Sequence, residues 1–321
     1  MGQSGQKTTR GINNLAKSNF ITRSRTGILK YYEFYLFLLP TLLYFAIFHY
    51  APMYGIIIAF KDFIAVKGMW GSPWVGLKHF ERFINGYQFW TLFKNTLGLS
   101  AYQLIAGFPM PILMALIVNQ VTNMKVKKTV QTITYAPHFI STVVLVGMLF
   151  TFLSPRSGFI NKIIAAFGGE PIFFMASAQW FKTLYVLSGI WQNAGWGMII
   201  YLAALSNVDT GLYDAAMIDG ANRFQRVIHI DIPSIIPTAI MLLILNMGRV
   251  MSVGFEKAFL MQTPANLESA EIISTYVYKV GLLNAQFSFS TAVGLFNSVI
   301  NLILIIVVNS LARKYSETSL W

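Results

Sequence analysis

The sequence predicts an all-α polytopic membrane protein with six transmembrane helices, and three observations support that class. First, 55% of the 321 residues are hydrophobic and only 11% are charged, against about 25% in an average soluble protein. The 24 basic and 12 acidic side chains are too few to cover a soluble globule of this length. Second, crossing a hydrocarbon core of about 30 Å at about 1.5 Å per residue takes about 20 helical residues, and six stretches free or nearly free of charge approach or exceed that length. Third, apolar runs such as Leu302 to Val308 are continuous rather than alternating, which suits helices and not a membrane barrel.

Taken in order, 27 uncharged residues lie between Glu33 and Lys61, 30 between Lys94 and Lys125, 27 between Lys128 and Arg156, and 26 between Lys182 and Asp209. The window from Asp231 to Arg249 holds 17 and reaches spanning length only by continuing through Arg249 to Gly254, while the last window is residues 280–312. Spans are therefore expected near 34–59, 95–118, 130–153, 183–205, 234–255 and 289–312. The first run is too long for a signal-peptide core and is followed by Phe60-Lys61-Asp62 instead of a small-residue cleavage site, so it is expected to stay as an anchor. Pro137 is placed to break the start of the third span, and His138 beside it suits a helix-end or ligand contact equally.

Orientation follows from the basic residues next to the spans. Both termini inside puts thirteen Lys and Arg on the inner side, including Lys7, Arg10, Lys17, Arg23, Arg25 and Lys30 of the tail and Lys125 to Lys128, against ten on the outer side. The net charge of +12 meets anionic lipid headgroups rather than nucleic acid, because the basic residues sit between apolar runs and form no stripe. Residues 1–30 form a basic cytoplasmic tail and 313–321 a second one; 31–90 hold the first span and an extracellular loop, in which Trp70, Trp74, Phe80, Phe83, Phe89 and Trp90 suit an interfacial or partner-facing surface. Residues 91–312 make a five-helix core.

Several chemistries are missing. With no cysteine and with His49, His79, His138 and His229 scattered, thiolate and histidine metal sites are not expected. No Gly-Lys dipeptide exists to end a phosphate loop, and neither a His-Glu-x-x-His nor a Gly-x-Ser-x-Gly motif is present. Arg249 is the one charged residue expected inside the spans, so intramembrane acid–base catalysis and carboxylate proton relays lose their material.

The stretch from Asp209 to Pro233 between spans four and five is the most informative. Asp209 and Thr210 suit the cap of a short helix with Asp214 in its first turn, Ala215 and Ala216 offer a face that another protein could approach closely, and Gly220 suits a sharp turn. Phe224, Val227 and Ile228 then recur at helical spacing, implying a second amphipathic helix ended by Pro233. On these residues alone, a hairpin packed on its own bundle and a hairpin docked on a partner are equally served.

Asp214-Ala215-Ala216, three residues, Gly220, nine residues and Ile230-Asp231-Ile232-Pro233 resemble, without a gap, the EAA loop of binding-protein-dependent ABC importer permeases, with Asp for Glu at 214 and Ile for Leu at 232. The resemblance extends from Tyr35 to Trp321 and looks closest to the maltose-type sugar branch, in particular to Gram-positive complex-oligosaccharide permeases. Its marks are Tyr135-Ala136-Pro137-His138, Gly248-Arg249-Val250-Met251-Ser252, Thr275-Tyr276-Val277-Tyr278 and Ser319-Leu320-Trp321. It implies a type I ABC importer permease fold, non-catalytic in itself. It also implies a second homologous permease as heterodimer partner, two ATPase subunits that bind ATP and Mg, and an extracellular lipid-anchored binding protein delivering an oligosaccharide. The coupling loop, residues 210–233, would be cytoplasmic and would present Tyr213, Asp214, Ala215, Ala216, Asp219, Gly220, Arg223 and Pro233 to the ATPase.

A sugar path needs hydrogen-bonding side chains and aromatic faces, for which Gln103, Gln192, Asn193, Trp196, Asn246, Arg249 and Asn297 qualify. The amides serve equally well as interhelical glue, and Arg249 could instead snorkel to the outer headgroups. A secondary transporter or channel working without an ATPase is the alternative function, and a membrane scaffold without flux a third.

Overall fold

The structure is a computed structural model that describes residues 31–315. The expectations for the 1–30 tail and for the final Ser319-Leu320-Trp321 lie outside the described residues. Packing divides the chain into a unit ending at Ile57 and a unit starting at Ile58. Among the described residues the architecture is helical, with one isolated antiparallel bridge, Lys61 to Trp74, and no strand.

Among the described residues four helices are long and apolar enough to cross a membrane: α1 (Tyr32–Phe60), α2 (Phe89–Asn119), α7 (Arg223–Met247) and α9 (Phe287–Lys314). Between them lie α3 (Met124–Phe139), α4 (Thr142–Phe152), α5 (Ala178–Ser206), α6 (Thr210–Ile218) and α8 (Phe255–Met261). Taken as one broken segment, α3 and α4 bring the number to five. The expected fourth span lies within α5, whose 29 residues are long enough but, carrying Lys182, Gln192 and Asn193, less apolar.

Each helix shows why it starts, bends or stops where it does. In the first unit Pro40 lies inside the helix, and a π-turn at Ala46–Tyr50 brings Tyr44 and Phe45 into ring contact with Phe48 and His49. In α2 the chain is interrupted at Phe108, where Pro109 and Pro111 follow and remove backbone donors. Asn123 caps α3 by accepting from Lys125 N at 2.9 Å, and α3 closes in a 3₁₀ turn, Ala136–Phe139, containing Pro137. Ser141 then caps α4, which leaves at 97° to α3. The span expected at 130–153 is therefore an elbow, broken at Pro137 as its sequence suggests: Pro137 stops the helix, and Ser141 starts another in a new direction.

Two further boundaries correct the sequence reading. Pro233 does not end a helix, because a π-turn at Val227–Asp231 precedes it and it takes the second position of the next α-segment, where a backbone donor is not required. The expected fifth span, 234–255, ends at Met247, so Arg249 lies in the turn that follows and not inside a span.

The second unit is held by three apolar clusters. One joins α2, α4, α5 and α8 through Leu99, Val146, Phe181 and Ala258; another joins α2, α5 and α7 through Ala115, Met198 and Ile235. The third gathers Phe83, Phe89, Met251, Phe289 and Val293. Phe83 and Phe89, expected as interfacial aromatics, are thus core, whereas Trp70, Trp74 and Trp90 are exposed. Nearby, a 2.7 Å hydrogen bond from Lys78 holds the Asp62 carboxyl below its ordinary range against the opposing effect of desolvation. Between α4 and α5, buried Asn161 donates to the Leu153, Ser154 and Ile172 carbonyls and accepts from Ile172 N, closing that connection.

At Gly195 of α5 the helix meets the elbow so closely that a β-carbon would overlap the Thr134 carbonyl of α3. Gly195→Val is expected to cost about 1–3 kcal/mol or more through overpacking against backbone, seen as a lower melting temperature and less monodisperse protein on gel filtration. Gly147→Ala in α4, with open space around the new methyl, is expected to be neutral or stabilising by up to about 1 kcal/mol.

Candidate functional site

A cavity of about 460 Å³ opens between α2, α5, α7 and the turn after α7. Of the seven expected path residues, Gln103, Asn193, Asn246 and Arg249 line it. Gln192, Trp196 and Asn297 are not on its wall, and each has another task.

Gln192 donates from Nε2 to the Ile140 carbonyl at 2.7 Å, meeting an acceptor that the elbow leaves outside any helix. Trp196 stacks on His138 with ring centroids 4.6 Å apart and planes 4° from parallel. His138 Nδ1 also lies 3.1 Å from Asn193 Oδ1, so Asn193 both lines the cavity and braces the elbow. One face of α5 therefore grips the Pro137 bend at successive helical positions.

Asn297 and Asn301, one turn apart on α9, grip the segment after α7. Asn297 donates to the Met251 carbonyl at 3.1 Å, Asn301 accepts from Met251 N at 2.9 Å, and Asn301 donates to Ser252 Oγ at 3.0 Å. Ser100 of α2 adds a bond to the Val250 carbonyl. Arg249 sits in this clamped turn, its N–H bonded to the Asn246 carbonyl at 3.0 Å and its carbonyl to Ser252 N at 2.8 Å. Its guanidinium makes no hydrogen bond or ion pair with another described residue.

A second recess, about 260 Å³, lies in the 209–233 hairpin and is bordered by Ala216, Gly220, Gln225, Arg226 and His229. Asp209 caps α6 by accepting from Gly211 N at 2.9 Å; α6 starts at Thr210, so Asp214 lies beyond the first turn rather than in it. The helix closes on Gly220 at φ +79°, with Ala221 N bonded to the Ala216 carbonyl at 2.8 Å and Gly220 N to the Met217 carbonyl at 3.1 Å. This is a Schellman stop, which favours glycine at the left-handed position. Asn222 and Gln225 form a capping box that starts α7.

The hairpin is tied down by a residue not expected as a site. Asp231, with no exposed surface, accepts from the Tyr213 hydroxyl and from Gln120 Nε2 at 2.7 Å. Burial, reinforced by the hydrogen bond to the Asp231 carboxylate and its negative charge, pushes the Tyr213 phenol up to about 12. Tyr213 thus faces its own chain, while Asp214 and Ala215 are exposed and Ala216 is half-buried beside the recess. Asp219 and Arg223 are exposed, and Pro233 is exposed at the start of the long α7 segment. No group of three or more metal-ligating side chains occurs among the described residues.

The model of the family described as binding-protein-dependent transport system inner membrane component matches residues 107–317. The polygalacturonan/rhamnogalacturonan transport system permease protein YteP of Bacillus subtilis (strain 168) is 47% identical over 287 residues, 89% of each chain. Protein LplB of the same organism is 44% identical over 287 residues, 89% of this chain and 90% of LplB. A chain of a bacterial ABC transporter involved in the import of the acidic polysaccharide alginate superimposes with a TM-score of 0.84 at 40% identity, covering 91% of this chain and 99% of that one. The match spans most of the second unit and its relatives cover nearly the whole length, so the chain belongs to the binding-protein-dependent inner membrane components, the multi-pass membrane permeases of ABC transporters.

Proposed function

We propose that the chain is the permease subunit of an ATP-driven importer of oligosaccharides, coupled through its 209–233 hairpin to separate ATPase subunits that bind ATP and Mg. In this proposal it pairs with a second, homologous permease and receives sugar from an extracellular binding protein. α5 supplies the sixth crossing, and both termini are cytoplasmic. The names of the relatives, which specify polysaccharide transport, support the sugar class.

The observation that carries the coupling is the surface of α6. None of its nine residues is buried, and Leu212, Met217 and Ile218 are exposed, Ile218 by 87%. A hairpin that merely packed on its own bundle would cover these side chains, whereas exposed apolar groups in a polar loop suit a protein partner. The Arg226 Nε beside the recess is buried without a hydrogen-bond partner among the described residues, leaving a donor for an acceptor on that partner.

The importer reading is tested by co-purification of the ATPase and by ATP hydrolysis in proteoliposomes stimulated by sugar-loaded binding protein. Ala216→Trp, which fills the recess, and Gly220→Val, which costs about 1–2 kcal/mol at a left-handed residue, are both expected to abolish coupling while the protein stays folded. Wild-type coupling in both variants would sink the ATPase assignment, and sugar uptake by the reconstituted chain without any ATPase would favour a secondary transporter.

Tyr213→Phe removes one donor from a buried carboxylate and is expected to lower stability by about 1.5–3 kcal/mol, read as an earlier thermal transition with ATPase binding weakened but present. An unchanged transition temperature would show that Asp231 is satisfied without Tyr213.

For topology, single cysteines at Asn222 and Ser157 are unambiguous because the chain has none of its own. An impermeant thiol reagent on intact cells is expected to label the Ser157 position and spare the Asn222 position. The reverse pattern would invert the orientation.

A further inference from the structure

We infer that the cavity selects carboxylate-bearing oligosaccharides, with Arg249 receiving the carboxylate and Lys257 supplying a second positive charge behind the wall. This rests on the importer reading above.

Among the residues lining the cavity, Arg249 is the one with a formal charge, and no Asp or Glu stands beside it. Its backbone is fixed by the Asn246 and Ser252 bonds, and the neighbouring turn is clamped from α9 and α2. The side chain has no partner among the described residues, so a held backbone presents five unspent guanidinium donors.

Lys257 of α8 is buried and has no acidic partner among the described residues. Its Nζ donates to the Tyr185 carbonyl at 2.8 Å and lies 4.7 Å from the centre of the Tyr185 ring. A β-carbon placed on Gly189, which lines the cavity, would lie 3.3 Å from that Nζ. The ammonium therefore rests against the back of a wall that, at that point, has no side chain to screen it.

Arg249, exposed on the cavity, and Lys257, which stays largely protonated at neutral pH although burial pulls its ammonium down to about 8, leave the cavity positive with no anion among its lining residues. A neutral sugar hydroxyl offers hydrogen bonds but leaves the charge uncompensated. A carboxylate compensates the charge and fits the planar fork with two parallel bonds. The remaining polar wall, Gln103, Asn193 and Asn246, suits the hydroxyls of the same ligand.

The test uses the assembled importer in proteoliposomes with its binding protein. The probes are trimers of galacturonate, mannuronate and glucuronate, each beside its carboxyl-reduced neutral counterpart. The wild type is expected to take up at least one acidic trimer in preference to its reduced form. Arg249→Gln is expected to lower acidic uptake at sub-saturating concentration by about tenfold or more and to shrink the acidic-to-neutral ratio, with Arg249→Lys retaining part of both. Lys257→Met is expected to shrink the ratio by a smaller factor.

The binding protein is the same in every arm, so a changed ratio belongs to this chain. If Arg249→Gln lowers acidic and neutral uptake alike, or prevents assembly in both Arg249 variants, Arg249 is a structural group and the inference fails. Equal ATP-dependent uptake of acidic and neutral trimers by the wild type also overturns it, and leaves the importer reading standing. If no ATPase is recruited, the importer reading falls instead, and binding of the same trimers to the purified full chain, with and without Arg249→Gln, decides the charge selectivity.

Discussion

Within a bilayer, every backbone group freed by a broken helix must find a partner inside the protein, and the arrangement around the cavity follows from that constraint. This chain interrupts regular helix at the elbow and after Met247, two places that would each leave carbonyls and amides unmet. Gln192 meets the Ile140 carbonyl, Ser100 the Val250 carbonyl, and Asn297 with Asn301 both backbone groups of Met251. Side-chain amides are suited to this because each carries donors and an acceptor without a charge that would need compensation. The break after Met247 in turn shapes the concave wall, which the turn that follows it lines, since a bundle of straight helices at ordinary packing density leaves few voids.

The hairpin and the cavity are joined by α7. Asp231 lies near the start of that helix and Arg249 just past its end, 18 residues apart, or about 27 Å at helical rise. Through Gln120, Asp231 is also bonded to the residue that follows α2, which lines the cavity with Gln103 and Phe108. A displacement of the hairpin would reach the cavity by two routes, along α7 itself and through the Asp231–Gln120 hydrogen bond into α2, with the Pro109 interruption in α2 and the Val227–Asp231 π-turn in α7 as the places able to absorb a change of direction.

The sequence showed much of this and hid a definable part. Charge spacing located the long helices because a bilayer imposes a length on them, and the Asp209 cap and Gly220 turn were legible because their chemistry is local. What was hidden depends on distant partners. Pro137 signalled a break, but the 97° turn needs the α5 face of Gln192, Asn193 and Trp196 to hold it. Arg249 looked intramembrane because the one local mark of the end of α7 is Gly248, a weak signal inside an apolar run, and the asparagines that hold the turn lie about fifty residues on. Pro233 looked like a stop because a π-turn leaves no sequence signature as plain as a cap. Asp231 passed as part of a motif; an acid just ahead of a long apolar run, with Tyr213 in the same loop, is the signal that could have marked it as buried.

The seven polar and aromatic residues expected along a sugar path show how bracing and lining compete for the same chemistry. An amide that completes its bonds with freed backbone has little left for a passing hydroxyl, which is the condition of Gln192. Asn297 differs: its donor holds Met251, while its Oδ1 is buried with no partner among the described residues. Asn193 is shared, one side towards His138 and the other on the cavity wall. Arg249 spends only its backbone on the fold. Placing it beyond the helix end, on a cavity, also avoids the cost of about 2.5–3.5 kcal/mol that insertion scales assign to an arginine at the centre of a lipid-facing helix. A cation retained on such a wall with no protein partner is a side chain whose structural duty is already met by its backbone, which leaves its charge for whatever enters the cavity.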